Sequence, residues 1–176
     1  PRLILIGQRG WECENTVDLL ERCPSLRGIV HEINSCSDRE LATFLHHAQA
    51  LLFPSFSEGF GLPIAEALAA GLPVIASDLP VFREFAGPIP EYISPLDGAQ
   101  WHTAILDYAH PSSPRRAAQI ARIVQFTPPS WDAHFQSVNS LINQLRQNIV
   151  SHHALAPDSP STQEVEDAEP IETTSR

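Results

Sequence analysis

The sequence predicts an α/β fold, a mostly parallel sheet with helices on both faces. Three observations predict it. Short apolar runs alternate with segments of helical periodicity from Leu3 to Ile93; strands joined through helices cross over right-handed into a parallel sheet. The run Ala50 to Phe53 is apolar throughout, fit for a strand buried on both faces. A loop with Gly59 and Gly61 separates that run from the next helical segment, which is the strand–loop–helix order of a ligand-binding α/β unit.

The elements follow in order. Leu3-Ile4-Leu5-Ile6-Gly7 reads as a buried strand and Gln8-Arg9-Gly10-Trp11 as the turn after it. Asn15 to Cys23 reads as a helix with Val17 and Leu20 on its apolar face, closed by Pro24. Gly28 to Ile33 is a second strand. Ser37-Asp38-Arg39-Glu40 is a capping box, with Ser at the N-cap and Glu three residues on. It opens a helix with Leu41, Phe44, Leu45 and Ala48 on one face. After the strand ending at Phe53, Pro54 stops the chain, Pro63 suits the start of a helix, Gly71 ends that helix and Pro73 prevents its return. Val74 to Ala76 is the next strand. Leu79 to Ala86 reads as a short helix closed by Gly87, and Glu91 to Ile93 as a short strand. Helices are expected over about Gln100 to Ala109 and Pro114 to Phe126. In a final helix after Pro128-Pro129-Ser130, Trp131, Phe135, Val138, Ile142 and Leu145 form an amphipathic stripe. Residues 151–176 are rich in Ser, Thr, Pro and acids; they read as a disordered acidic tail, which puts the folded domain at 1–150.

Composition excludes several function classes. The chain has 176 residues, 43% of them hydrophobic, enough for one domain with a core. Net charge is -10, which argues against nucleic acid as a partner. Half of that charge falls after residue 150, where Asp158, Glu164, Glu166, Asp167, Glu169 and Glu172 stand against Arg176. Every basic residue is arginine. Cys13, Cys23 and Cys36 are odd in number and lack CxxC spacing, which speaks against a zinc site or a disulfide framework and for a reducing, cytoplasmic setting. No apolar run has the length of a membrane span. The first residue is Pro1 and there is no methionine, so the chain reads as a piece of a longer polypeptide.

The glycine loop carries the chemistry. Unpaired N–H groups and the positive end of a helix dipole make such a loop an anion site. Glu58 precedes it and Glu66 follows eight positions later. A carboxylate placed on a phosphate would repel it, so a useful carboxylate here must look past the phosphates at neutral hydroxyls, where it accepts hydrogen bonds from a diol. Phosphates on the helix with a diol on each side describe a nucleotide sugar. On spacing alone the plainer readings stand equally: Glu66 complements the helix dipole, and Glu58 is a solvated loop residue. No DxD-type metal element stands in the body of the chain.

Glu58-Gly59-Phe60-Gly61-Leu62-Pro63-Ile64-Ala65-Glu66-Ala67 and Gly71-Leu72-Pro73-Val74-Ile75-Ala76-Ser77 resemble the donor-binding motif of the GT4 glycosyltransferases, the glycosyl transferases group 1, a retaining family with the GT-B fold. The resemblance runs from roughly Leu3 to Phe135 and covers only the C-terminal, donor-binding half of such enzymes. It implies a Rossmann-like domain lacking its first strand, which would leave the strands at Leu3 and Ala50 without a shared neighbour. It implies Glu58 as the catalytic candidate, on the hexose hydroxyls beside the anomeric carbon. Backbone N–H groups of Gly59, Phe60, Gly61 and Leu62 would bind the diphosphate and sugar, and Glu66 the ribose diol. Ile33, Asn34 and Ser35 match the strand end that meets the base, with Asn34 where family members have Gly. The family's diphosphate cations, an Arg and a Lys, lie upstream of this chain; Arg9 is the nearest candidate, and a pairing with a surface acid is its plainer role. Arg83-Glu84 resembles a family helix start with Arg in place of Pro and is given a structural role. The stripe of the last helix packs on its own domain or, as in the resembled enzymes, crosses to the N-terminal domain.

The resemblance further implies no cofactor, no metal, and a nucleoside diphosphate sugar as donor, with GDP-mannose favoured by the Gly7-x-Arg9-Gly10-Trp11 and Pro80-Val81-Phe82-Arg83-Glu84 details. The acceptor, a saccharide or lipid-linked chain, would be bound by the N-terminal domain, as would any peripheral contact with the cytoplasmic face of a membrane. Two other function classes share these residues: a GT-B nucleotide-sugar epimerase, separated by assaying UDP-GlcNAc interconversion against transfer, and a non-catalytic nucleotide-sugar-binding module, separated by binding without transfer.

Overall fold

The computed structural model describes residues 1–154. The acidic segment expected to be disordered lies outside the described residues from 155 onward. The chain divides into two compact units, Pro1–Pro129 and a second from Ser130 onward.

The first unit runs β1 (Leu3–Ile6), α1 (Glu14–Arg22), a 3-10 turn at Pro24–Leu26, β2 (Val30–Ile33), α2 (Asp38–His47), β3 (Leu51–Phe53), α3 (Leu62–Ala69), β4 (Val74–Ser77), α4 (Pro80–Ala86), β5 (Glu91–Ile93), α5 (Gly98–Ala109) and α6 (Pro114–Ile123). Its strands form two parallel sheets, β1-β2 and β3-β4-β5. Leu3 pairs with Val30, Leu51 with Val74, and Ile75 with Glu91. Among the described residues β1 and β3 do not pair with each other, so each keeps one free edge.

The core belongs to the second sheet. β4 is buried along its whole length, and its side chains alternate between two clusters. Val74 and Ala76 pack with Ile64, Ala67 and Leu68 of α3, Phe82 and Ala86 of α4, and Ile123 of α6. Ile75 packs with Ile93 of β5 and Trp101, Ala104 and Tyr108 of α5. β4 is thus the two-sided strand of an α/β layer, and burying a side chain such as Ile64 or Phe82 contributes about 1.5–3 kcal/mol. The buried amide of Gln119 braces this half, its Nε2 donating to the carbonyls of Val74 at 2.8 Å and Ile89 at 3.0 Å.

The first sheet corrects an expectation. Leu3 to Ile6 reads as a buried strand, yet Leu3, Ile4 and Ile6 are 38%, 40% and 39% exposed, and no residue before Gly61 is buried. A strand is covered by its neighbours and not by its own composition, and β1 has β2 alone beside it. Local signals fare better. At the start of α2 the Ser37 N–H donates to Glu40 Oε2 at 2.9 Å and the Glu40 N–H to Ser37 Oγ at 3.4 Å, a complete capping box. Helix α6 ends at Ile123, short of the expected Phe126, where bonds from Gln125 N–H to the Arg122 carbonyl and from Phe126 N–H to the Ile123 carbonyl tighten the last turn.

The second unit is described as one helix, α7 (Trp131–Ala154), which continues past the boundary expected at residue 150. At its start the rings of Trp131 and Phe135 stack with centroids 5.9 Å apart. Among the described residues no helix is long and apolar enough to cross a membrane.

Candidate active site

The site is one continuous turn from β3 into α3. Phe53 ends β3, the chain crosses an exposed loop from Pro54 to Phe60, and Gly61 caps α3 with φ +93° and ψ +50°. Only a residue without Cβ adopts that conformation cheaply. Space demands glycine there as well: a Cβ at Gly61 would lie 2.6 Å from Cε1 and 3.0 Å from Cδ1 of Phe82. At the far end Gly71, φ +77°, ends the helix, and the Leu72 N–H closes on the Ala67 carbonyl at 2.8 Å.

The loop presents donors. Among the described residues, no hydrogen bond is made by the backbone N–H groups of Gly59, Phe60, Gly61 and Leu62, while the Gly61 carbonyl is already taken by the N–H groups of Ile64 and Ala65. Free N–H donors at the positive end of a helix are what an anion site requires. The loop is stiffened from two sides. Ser55 Oγ donates to Glu58 Oε1 at 2.8 Å, fixing the carboxylate that precedes the glycines. The Phe60 ring stacks on Phe85 of α4, with centroids 4.6 Å apart and planes inclined by 19°. Glu66, on the exposed side of α3, lines a cleft of about 730 Å³ between α2 and α3, together with Arg39, Thr43 and His46. Its carboxylate accepts no hydrogen bond among the described residues, so both oxygens are available to hydroxyl donors.

The remaining candidates sit on the other sheet. Arg9 follows β1 and is held in a fork by Glu32, with Nε to Oε1 at 3.1 Å and Nη2 to Oε2 at 2.9 Å, and by Glu21 at 2.8 Å. Hydrogen bonds donated to these two carboxylates raise the guanidinium pKa further, and the guanidinium holds the Glu32 carboxyl below its ordinary range. The structure thus gives Arg9 the pairing with surface acids; a diphosphate would reach it only after both carboxylates let go. Ile33, half-buried, ends β2 with its carbonyl accepting from the Gly7 N–H at 3.0 Å, and Asn34 and Ser35 are exposed at the carboxyl end of that strand. No hydrogen bond or ion pair joins this group to the glycine turn among the described residues. Among those residues no group of three or more His, Cys, Asp or Glu side chains converges as a metal site requires.

Arg83, read from the sequence as structural, does support α4. Its Nε bonds Asp78 Oδ1 at 2.6 Å and its guanidinium lies 4.3 Å from the Tyr92 ring centroid. Sequence reasoning missed Ser55, Phe82 and Phe85. The first stands three residues before Glu58, close enough for a loop hydrogen bond. The two rings stand three apart on a short helix, hence on one face, but nothing local says which loop they face.

The model of the family "Glycosyl transferases group 1" matches residues 2–89, half of the chain, including the glycine loop and both glutamates. The chain is 36% identical over 118 residues to the serotype-specific mannosyltransferase WbdA of Escherichia coli, covering 63% of this chain and 14% of that protein. It is 33% identical over 130 residues to O-antigen chain mannosyltransferase B of Escherichia coli, covering 74% of this chain and 34% of that one. It therefore spans between about a seventh and a third of the length of these relatives. The solved structure of WaaG, a glycosyltransferase involved in lipopolysaccharide biosynthesis, superposes with a TM-score of 0.55 at 22% identity, over 69% of this chain and 32% of that one. At that identity the likeness shows the fold, parallel sheets flanked by helices as in GT-B glycosyltransferases. By fold, by motif and by the extent of the match, the chain belongs to the glycosyl transferases group 1 family.

Proposed function

We propose that this chain forms the donor-binding part of a retaining hexosyltransferase that uses a nucleoside diphosphate sugar. The observation that carries the reading is the β3–α3 turn, with four free N–H donors at a helix N-terminus and a carboxylate on each side of them in the chain. The diphosphate lies on the N–H groups of Gly59 to Leu62, where the helix dipole and the amides stabilise the charge that grows as it leaves, with no metal required. Glu58, held by Ser55, accepts hydrogen bonds from the hexose hydroxyls beside the anomeric carbon. Glu66 accepts from the ribose diol, and the base reaches toward Ile33, Asn34 and Ser35. Arg9 is not required for this arrangement.

In the transfer the anomeric carbon–oxygen bond to the diphosphate breaks and a bond to an acceptor hydroxyl forms on the same face. The acceptor's proton passes to the departing phosphate oxygen, so Glu58 orients and stabilises without becoming a nucleophile. Double displacement would instead place a carboxylate beneath the sugar as a covalent partner. Mannose, as GDP-mannose, is the favoured hexose, supported by the names of the relatives. The acceptor is a polysaccharide or lipid-linked chain, bound by residues outside this chain at the cytoplasmic side of a membrane. A second reading, a module that binds nucleotide sugars without transferring them, is favoured by the engagement of Arg9 with Glu32 and Glu21.

Calorimetric titration of the chain with GDP-mannose, UDP-glucose, UDP-GlcNAc and the free diphosphates tests the reading. One donor should bind. Glu66→Ala should weaken both the sugar nucleotide and its diphosphate by about 1–3 kcal/mol, the loss of charge-assisted hydrogen bonds. Glu58→Ala should weaken only the sugar nucleotide. Wild-type affinity in both variants would sink the assignment of the site.

A further inference from the structure

We propose that helix α4 is the support on which the anion loop is shaped, and that Phe85 is a positioning residue for the diphosphate. This rests on the donor-site reading above and adds residues that the motif does not contain. A loop whose N–H groups are all kept for a ligand has few hydrogen bonds of its own to hold its shape; between Phe53 and Gly61 only the Ser55–Glu58 bond is present among the described residues. Something else must set the geometry, and the contacts name it. The Phe53 ring, at the entry to the loop, lies 5.8 Å from the Phe82 ring. Phe60, directly before the exit, is stacked on Phe85. Gly61, at the exit, lies so close to Phe82 that a methyl group would not fit. The entry and the exit of the loop thus lean on one face of one short helix.

That helix is itself fixed. Phe82 is fully buried in the core, and Arg83 ties the exposed side of α4 to Asp78 and to the Tyr92 ring. The two aromatic contacts differ in kind. Phe82 is a core residue, and changing it would disturb folding. Phe85 is half-buried at the edge of the core cluster and Phe60 is 39% exposed, so their stack lies at the rim, where it acts on loop geometry. Loss of the stack leaves the donors present but no longer aimed together, and pre-organised donors are what an anion site depends on.

The test uses the full chain with Phe85→Leu, which keeps an apolar side chain but no ring, and Phe85→Tyr, which keeps the ring. Affinities are measured for a nucleoside diphosphate, its sugar form and the nucleoside alone, beside NMR order parameters of the Gly59–Leu62 amides. Phe85→Leu should weaken both diphosphates by about threefold to tenfold, leave the nucleoside unchanged, and lower the order parameters from about 0.85 toward 0.6. Phe85→Tyr should restore all three. Unchanged diphosphate affinity in Phe85→Leu, or an equal loss for the nucleoside, would overturn the positioning role while the donor site stood. Failure of the wild-type chain to bind any diphosphate would remove the donor site, and this role with it.

Discussion

Gly61→Ala is the substitution for which the structure yields a magnitude. Two costs add. At φ +93° a residue with a Cβ is strained by about 1–2 kcal/mol. The new methyl would also stand 2.6 Å and 3.0 Å from two ring carbons of Phe82. Phe82 is fully buried among Ile64, Val74 and Ala86, so its ring has nowhere to swing, and overpacking of this kind costs about 1–3 kcal/mol. The sum, about 2–5 kcal/mol, is a large share of a typical domain stability of about 5–15 kcal/mol. At about 4 °C per kcal/mol the melting temperature should fall by about 8–20 °C in thermal unfolding followed by circular dichroism. Gly59→Ala is the control, since no atom lies within 4 Å of the site of its Cβ and its φ is not positive; it should stay within about 0.5 kcal/mol. Phe82→Leu removes the ring that collides. In that background the cost of Gly61→Ala should shrink by about 1–2 kcal/mol, the coupling expected of residues in contact. A melting temperature unchanged in Gly61→Ala, or the same penalty with and without the Phe82 ring, would refute the reasoning.

Two further predictions concern the scaffold. Burial pushes both tyrosine hydroxyls, Tyr92 and Tyr108, up to about 12 from 10.0. A raised folded-state pKa contributes stability that is whole below about pH 10 and is lost as pH climbs toward 12; these are the only tyrosines in the chain, so tyrosinate absorbance should titrate near 12 and return to about 10 in denaturant, and a native midpoint near 10 would contradict the burial. Native-state hydrogen exchange should divide the first unit: the amides of β1 and β2, in a half without a buried residue, should be protected about a hundredfold less than those of β4, and equal protection would show that the two sheets open together.

What was legible in the sequence was what is local. The Ser37 capping box, the Pro and Gly stops around α3, the strand at Glu91–Ile93 and the glycine loop between β3 and α3 all depend on residues a few positions apart, and all stand where expected. What depends on distant neighbours was not legible. The apolar run Leu3 to Ile6 said that its faces prefer burial, not that anything would cover them. Arg9 was readable either as a donor cation or as half of an ion pair, and the choice was made by Glu32, 23 positions away in the chain. The need for glycine at Gly61 was readable from the loop. Its second cause, the Phe82 ring beneath it, comes from α4, which follows β4 in the chain, and has no local signature.

These two halves bear on how a ligand would act. The glycine turn and Glu66 extend from the sheet that holds the whole buried core, while Ile33, Asn34 and Ser35 end the sheet that holds none of it. Among the described residues no hydrogen bond or ion pair crosses from one group to the other. On the proposed reading, a nucleotide sugar with its diphosphate on Gly59 to Leu62 and its base at Asn34 would be the first polar link between them. Ligand binding to the folded state adds about 2.7 kcal/mol at a hundredfold excess over the dissociation constant. In a fold of two sheets that do not pair, that gain should appear mainly in the less protected sheet. The strand end at Ile33 would then be recruited by the ligand, and the rigid part of the site would be the turn that α4 supports.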